Sequence, residues 1–235
     1  MDTADTVPDA ATGAAFFDVD ETLITVKSMF RFLAYYYRAC GLPDEKYAES
    51  VGWLNDMLAS GMPRAQANLK YYELFAGHDA DRVAEIGEAW FAEELDGGDL
   101  FRPSVVSALD AHRADGKLVV LVSGSFGACL EPVRRHVGAD VLLCTVPEIE
   151  AGRYTGRVLT PMIGEAKAAA VHELMAARGL RPEHCHAYGD HSSDLPLLEA
   201  VGDPVVVGDD PVLLEHARLR SWRRLSGSGV PAQAR

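Results

Sequence analysis

An α/β fold, a doubly wound parallel sheet interrupted by an inserted helical cap, follows from three features of this 235-residue sequence. From residue 103 to residue 219, short apolar runs alternate with amphipathic helical patterns, the rhythm of a parallel sheet with helices on both faces. Residues 25–99 break that rhythm with helical patterns and no strand signal. Ahead of them, the stretch Phe16-Phe17-Asp18-Val19-Asp20-Glu21-Thr22-Leu23 carries an apolar run straight into two carboxylates. In open α/β sheets ligands bind beyond the carboxyl ends of the strands, and this is such an end.

Taken in order, residues 1–13 read as a flexible lead and 14–19 as a buried strand. Ser28 is placed to cap a helix over 29–40, closed by Gly41 and Pro43. Further helices follow over 44–60, stopped by Gly61; from Pro63 to Gly77; and over 81–95 before Gly97-Gly98. The α/β pattern resumes with a helix over 103–115, a strand over 118–122, a helix over 126–137 and a strand over 139–145. Gly152 and Gly156 among alternating residues predict a hairpin over 147–158. Residues 165–178 form a strong helix with Gly179 at the position after its last turn. Strands over 184–188 and 204–207 and helices over 194–201 and 212–219 complete the pattern, with a disordered tail from Ser226. The expected division is a core over 14–24 and 100–225 and a helical cap over 25–99.

Composition narrows the function. A net charge of −13 provides no basic field for a nucleic-acid backbone. Cys40, Cys129, Cys144 and Cys185 are scattered without a C-x-x-C pair, which disfavours soft-metal ligation and a disulfide scaffold and fits a reducing cytoplasm. No secretory h-region and no membrane-length apolar run is visible. Ala, Gly and Arg usage points to a GC-rich bacterial genome.

The chemistry lies at strand and helix ends. Residues two apart on an extended backbone face the same side, so Asp18 and Asp20 project together. Two acids so placed need a hard divalent cation or a shared proton between them, or act as a nucleophile and an acid. Ser123 and the Gly124 N–H, before a helix N-terminus, form a cradle for an anion. Lys167 sits in the first turn of its helix, where the dipole prefers acids, a misfit that suggests its charge serves something else. In Gly189-Asp190-His191-Ser192-Ser193-Asp194, Asp190 is placed to ligate Mg²⁺ and Asp194 to order the loop or a metal-bound water. His191 reads as a loop residue.

This order, Asp-x-Asp-x-Thr, then Ser, then Lys, then Gly-Asp-x-x-x-Asp, resembles the haloacid dehalogenase superfamily of phosphohydrolases over residues 14–220. The resemblance implies a Mg²⁺-dependent phosphatase working through an aspartyl-phosphate. Asp18 would be nucleophile and metal ligand, and Asp20 the general acid/base with its backbone carbonyl on Mg²⁺. Thr22, Ser123 and Gly124 would contact the phosphoryl group, Lys167 would stabilise it, and Asp190 would carry Mg²⁺. The insert between the first two motifs, with too few residues between Lys167 and Asp190 for a second one, looks like the small-cap branch similar to phosphoserine phosphatase. The Ser-Gly-Ser-Phe run and the hairpin around Tyr154 also look like that branch. In phosphoserine phosphatases a Glu nine residues after the nucleophile helps bind the substrate ammonium; Lys27 stands there instead. A cation at that place suits a carboxylate, a second phosphate or a neutral polyol, unless it points to solvent. Ser193 replaces a common Asn.

The expected partner is therefore a small phosphorylated metabolite, with histidinol phosphate and polyol or sugar phosphates open, and neither nucleic acid nor membrane; the oligomeric state is left open. A phosphotransferase using the same intermediate is the nearest rival. A signalling receiver domain is shorter and has no insert, and a carbon–halogen hydrolase has no need of Asp20.

Overall fold

The computed structural model describes residues 13–225; the flexible lead (but for Gly13) and the disordered tail expected from the sequence lie outside them. Among the described residues the first strand, β1 (Ala14–Asp18), is wholly buried, and a helical insertion follows: α1 (Ser28–Ala39), α2 (Asp44–Ala59), α3 (Arg64–Glu73) and α4 (Ala80–Asp96). Then come α5 (Pro103–Ala114), β2 (Leu118–Phe126), α6 (Gly127–Val137), β3 (Val141–Glu150), β4 (Arg153–Thr160) and α7 (Glu165–Arg178). The chain closes with β5 (His186–Gly189), α8 (Leu195–Glu199), β6 (Asp203–Val207), α9 (Pro211–Arg220) and β7 (Arg223–Leu225).

The strands form one sheet in the order β4-β3-β2-β1-β5-β6-β7, parallel except for the antiparallel β3–β4 hairpin. β1 lies at its centre with β2 on one side and β5 on the other, in register Asp18 to Val122 and Phe17 to Tyr188. The strand order reverses direction here, which opens a crevice beyond the carboxyl ends of these three strands.

Alternation along β1 and β2 feeds two cores. Ala14, Phe16, Val120 and Val122 pack with α7, α8 and α9 residues such as Val171, Leu198 and Leu213. Ala15, Phe17 and Leu121 face the other way, into a cluster that runs unbroken into Phe32, Tyr71, Phe75 and Trp90 of the insertion. The insertion's aromatics therefore share one core with the sheet. Phe126 explains why, since its ring meets Phe32, Tyr72 and Phe75 from the end of β2. The backbones come close where α4 crosses α6: a Cβ on Gly87 would stand 1.9 Å from the carbonyl oxygen of Ala128.

Some boundaries differ from expectation. β2 runs on to Phe126, the hairpin extends β3 and β4 well past the central sheet, and β7, too short and too basic to read as a strand, adds to the edge beside β6. The helix expected over 194–201 starts as one tight turn, Ser192–Asp194, before α8. Ser28 is the first residue of α1 rather than its cap, because its groups are used elsewhere.

Candidate active site

Asp18 is the last residue of β1, and the chain then bends through a single wide turn closed by the Ile24 N–H on the Val19 carbonyl at 3.0 Å. Glu21 takes a left-handed φ of 61° in that turn, held by its N–H to Val26 O at 3.3 Å and by Arg102 donating to its carbonyl at 2.9 Å. The bend returns Asp20 and Thr22 to the crevice. Asp20 Oδ1 accepts the Ser28 N–H at 3.1 Å, and the Ser28 hydroxyl donates to Ser125 Oγ at 2.9 Å. The second acid is thereby tied to the first turn of α1 and to the end of β2.

Lys167 reaches the same point from the first turn of α7. Its ammonium donates to Asp18 Oδ1 at 2.5 Å and to Asp194 Oδ1 at 2.7 Å, and all three side chains are buried. The helix-dipole misfit seen in the sequence thus has a cause: the charge points at two carboxylates. Asp194 Oδ2 accepts the His191 N–H at 3.3 Å, so this acid orders the loop after β5 as well as the lysine. Gly189 is required there, because any Cβ would come within 2.7 Å of Asp194 Cβ.

Asp190 completes the group. One oxygen each from Asp18, Asp190 and Asp194 lies within 4.8 Å of the others. The Thr22 hydroxyl donates to Asp190 Oδ1 at 2.6 Å, and Thr22 is fully buried. Its hydroxyl is thus engaged by Asp190. Ser123 and Gly124 line the cavity at the end of β2, one residue past the Asp18–Val122 pair.

Four acids, Asp18, Asp20, Asp190 and Asp194, gather about Lys167. Burial is the largest influence on Asp18 and pushes its carboxyl well above the usual range; Lys167 opposes this, while Asp194 and Asp190 add to it. Burial likewise holds Asp20 up at about 6 and Asp190 at about 6. Burial works against the Lys167 charge, but Asp18 and Asp194 outweigh it and keep the ammonium protonated. Excess buried negative charge carried by oxygen atoms alone is the donor set of a hard divalent cation, and the residues present fit one.

The cavity above these groups measures about 240 Å³ and has two kinds of wall. Met29, Phe30, Leu54 and Leu58 of the insertion form an apolar side; Lys27, Arg64 and His191 form a polar rim. Lys27 is half-exposed and pairs with Glu21 at 3.2 Å, so it stands at the cavity mouth. Arg64 Nη1 lies 3.3 Å from His191 Nε2. The sequence reads Ser28 only as a helix cap and Ser125 only as part of the Ser-Gly-Ser-Phe run, and it does not mark Arg64 or Asn68 at all. Those two sit in no chemically marked motif, and helical spacing alone does not say which face of α3 looks into the crevice.

Residues 15–199 match the family described as haloacid dehalogenase-like hydrolase. A Mycobacterium tuberculosis protein named "Probable phosphatase Rv3661" is 36% identical over 233 residues, covering 95% of this chain and 78% of that protein. "Phosphoserine phosphatase SerB1" of the same species is 29% identical over 241 residues, covering 94% of this chain and 75% of that one. Among solved structures, a protein of unknown function from Bordetella pertussis Tohama I superposes with a TM-score of 0.81 at 30% identity, over 92% of this chain and 99% of that one.

Proposed function

The chain belongs to the haloacid dehalogenase-like hydrolases, and on that premise we propose that it is a Mg²⁺-dependent cytoplasmic phosphatase that hydrolyses a small organic phosphate monoester through an aspartyl-phosphate. The observation that carries this reading is the place of Asp18: buried at the end of the central strand, paired with Lys167, between Ser123-Gly124 on one side and Asp190 on the other.

In the first step an Asp18 oxygen forms a bond to phosphorus as the ester P–O bond breaks. Asp20 gives its proton to the departing alkoxide; a carboxyl held near 6 is populated in both forms close to neutral pH, as an acid that must later act as a base requires. In the second step Asp20 removes a proton from water, which attacks phosphorus and frees Asp18 and inorganic phosphate. Lys167 offsets the repulsion between the Asp18 carboxylate and the incoming phosphoryl oxygens, and Ser123 and the Gly124 N–H bind those oxygens. Thr22 holds Asp190, and Asp194 holds Lys167 and the loop. Asp18 and Asp190, with the Asp20 carbonyl, would hold Mg²⁺, which supplies positive charge to the transferring group.

Residues 25–99 act as the cap over a core of 14–24 and 100–225. Opening for release would have to break the bonds from α3 to Gly124, made by Tyr72 at 2.7 Å and Asn68 at 3.1 Å. Lys27 at the mouth favours an anionic or polyhydroxylated leaving group over an ammonium. The test is phosphate release from a panel of phosphate esters with Mg²⁺, run beside Asp18→Asn. Release by that variant at the wild-type rate would sink the nucleophile assignment.

A further inference from the structure

The peptide joining Gly124 to Ser125 is held at both ends. Its carbonyl oxygen accepts three hydrogen bonds, from Tyr72 OH at 2.7 Å, Thr145 Oγ1 at 2.9 Å and Asn68 Nδ2 at 3.1 Å. A carbonyl has two lone pairs, so three donors on one oxygen exceed its usual complement. The other end of the same peptide, the Ser125 N–H, donates to Ser123 Oγ at 3.1 Å. Ser123 is therefore an acceptor toward its own chain, which leaves its hydroxyl proton to donate, and it lines the cavity beside Asp18.

Donors on the carbonyl draw electron density from the peptide nitrogen and strengthen its N–H. A stronger N–H on Ser123 Oγ in turn polarises the Ser123 O–H, since linked hydrogen bonds reinforce one another. Tyr72 and Thr145 are themselves buried and are not among the cavity-lining residues. Tyr72 comes from the insertion and Thr145 from β3, so two separate parts of the chain converge on one oxygen.

The geometry points to Tyr72 and Thr145 as positioning residues that set the Ser123 hydroxyl, through the Gly124–Ser125 peptide, as a donor to the phosphoryl oxygens. This rests on the phosphatase reading above and adds to it that the insertion completes the anion cradle as well as covering it.

A double-mutant cycle in the full chain tests it. Tyr72→Phe, Ser123→Ala and the double variant are compared in kcat for p-nitrophenyl phosphate with Mg²⁺, and in calorimetric affinity for orthovanadate with Mg²⁺, which needs no turnover. Tyr72→Phe is expected to lower kcat and vanadate affinity by about five- to tenfold in the wild-type background. In the Ser123→Ala background the same change is expected to cost less than about twofold, because its route is gone. An equal loss in both backgrounds, or none in either, overturns the relay. Thr145→Val repeats the cycle from the opposite side of the carbonyl and decides the matter if Tyr72→Phe does not fold. If the wild type releases no phosphate from any ester, the phosphatase reading fails and the vanadate cycle alone judges the relay; no vanadate binding by the wild type overturns it too.

Discussion

Lys167 and Asp18 form a buried ion pair at the cavity floor, 2.5 Å from Nζ to Oδ1 between residues 149 positions apart. Breaking a buried pair from one side strands a charge, which costs far more than the pair's net worth. Lys167→Met is therefore expected to lose about 3–5 kcal/mol of unfolding free energy, by urea denaturation with a chelator present, together with phosphate release. Unchanged stability would show that Asp18 simply takes up a proton when the lysine is absent.

A divalent cation held by the carboxylate cluster, as proposed above, would bind the folded chain and not the unfolded one. Mg²⁺ at a hundred times its dissociation constant is expected to add about 2.7 kcal/mol, raising the melting temperature by about 5–10 °C for a chain of this size. Asp190→Asn should remove most of that rise. A wild-type melting curve indifferent to Mg²⁺ would count against the metal site.

Two glycines in helices of the insertion should respond oppositely to alanine. Gly87→Ala drives a Cβ into the Ala128 carbonyl at 1.9 Å, so α4 and α6 must part, at a cost of about 1–3 kcal/mol. Gly52, inside α2, has open space where its Cβ would go, and Gly52→Ala is expected to gain up to about 1 kcal/mol from helix propensity. Thermal melts of the two variants beside wild type check both signs.

His112 gives stability a pH dependence away from the site. Burial, with His186 and Lys117 nearby, lowers its pKa from 6.5 to about 4, and its Nε2 is 2.9 Å from Tyr188 OH. The folded state resists the proton that the unfolded chain accepts. The stabilisation is thus complete above pH 6.5 and is lost as pH falls toward 4. Asp20 and Asp190, held up near 6, act in the opposite sense, because their folded forms keep protons that the unfolded chain releases above about pH 4. Comparing wild type with His112→Gln at each pH isolates the histidine: the variant should lose less stability between pH 6.5 and 4.5. Parallel curves would contradict this.

What was legible in the sequence was what periodicity and strand ends encode. The alternation after residue 103 announced the parallel sheet, and Asp18, Ser123, Lys167 and Asp190 stood out because the sequence places each at a strand end or in the first turn of a helix. Ser28 was misjudged, since a serine before a helical pattern reads as a cap, whereas its amide and hydroxyl are bound to Asp20 and Ser125. The Thr22–Asp190 bond was not legible either, because sequence spacing cannot tell a hydroxyl that meets a ligand from one that orients a neighbouring acid. The clamp on Gly124 was invisible because it joins α3, β3 and the end of β2 through one backbone oxygen, and backbone atoms leave no mark in sequence. β7 escaped because three residues carry too little pattern to read.

The central position of β1 imposes an order on biosynthesis. Ala14–Asp18 is synthesised before either of its sheet neighbours, since the strand that pairs with it on one side begins at Leu118 and the strand on the other at His186. An apolar segment with two phenylalanines and both hydrogen-bonding edges open must wait until both have been made. Long-range pairing of this kind slows folding and exposes nascent chains to mispairing. Truncated nascent chains ending before Lys167 are expected to hold no half-built site, and they are the species on which chaperones would act.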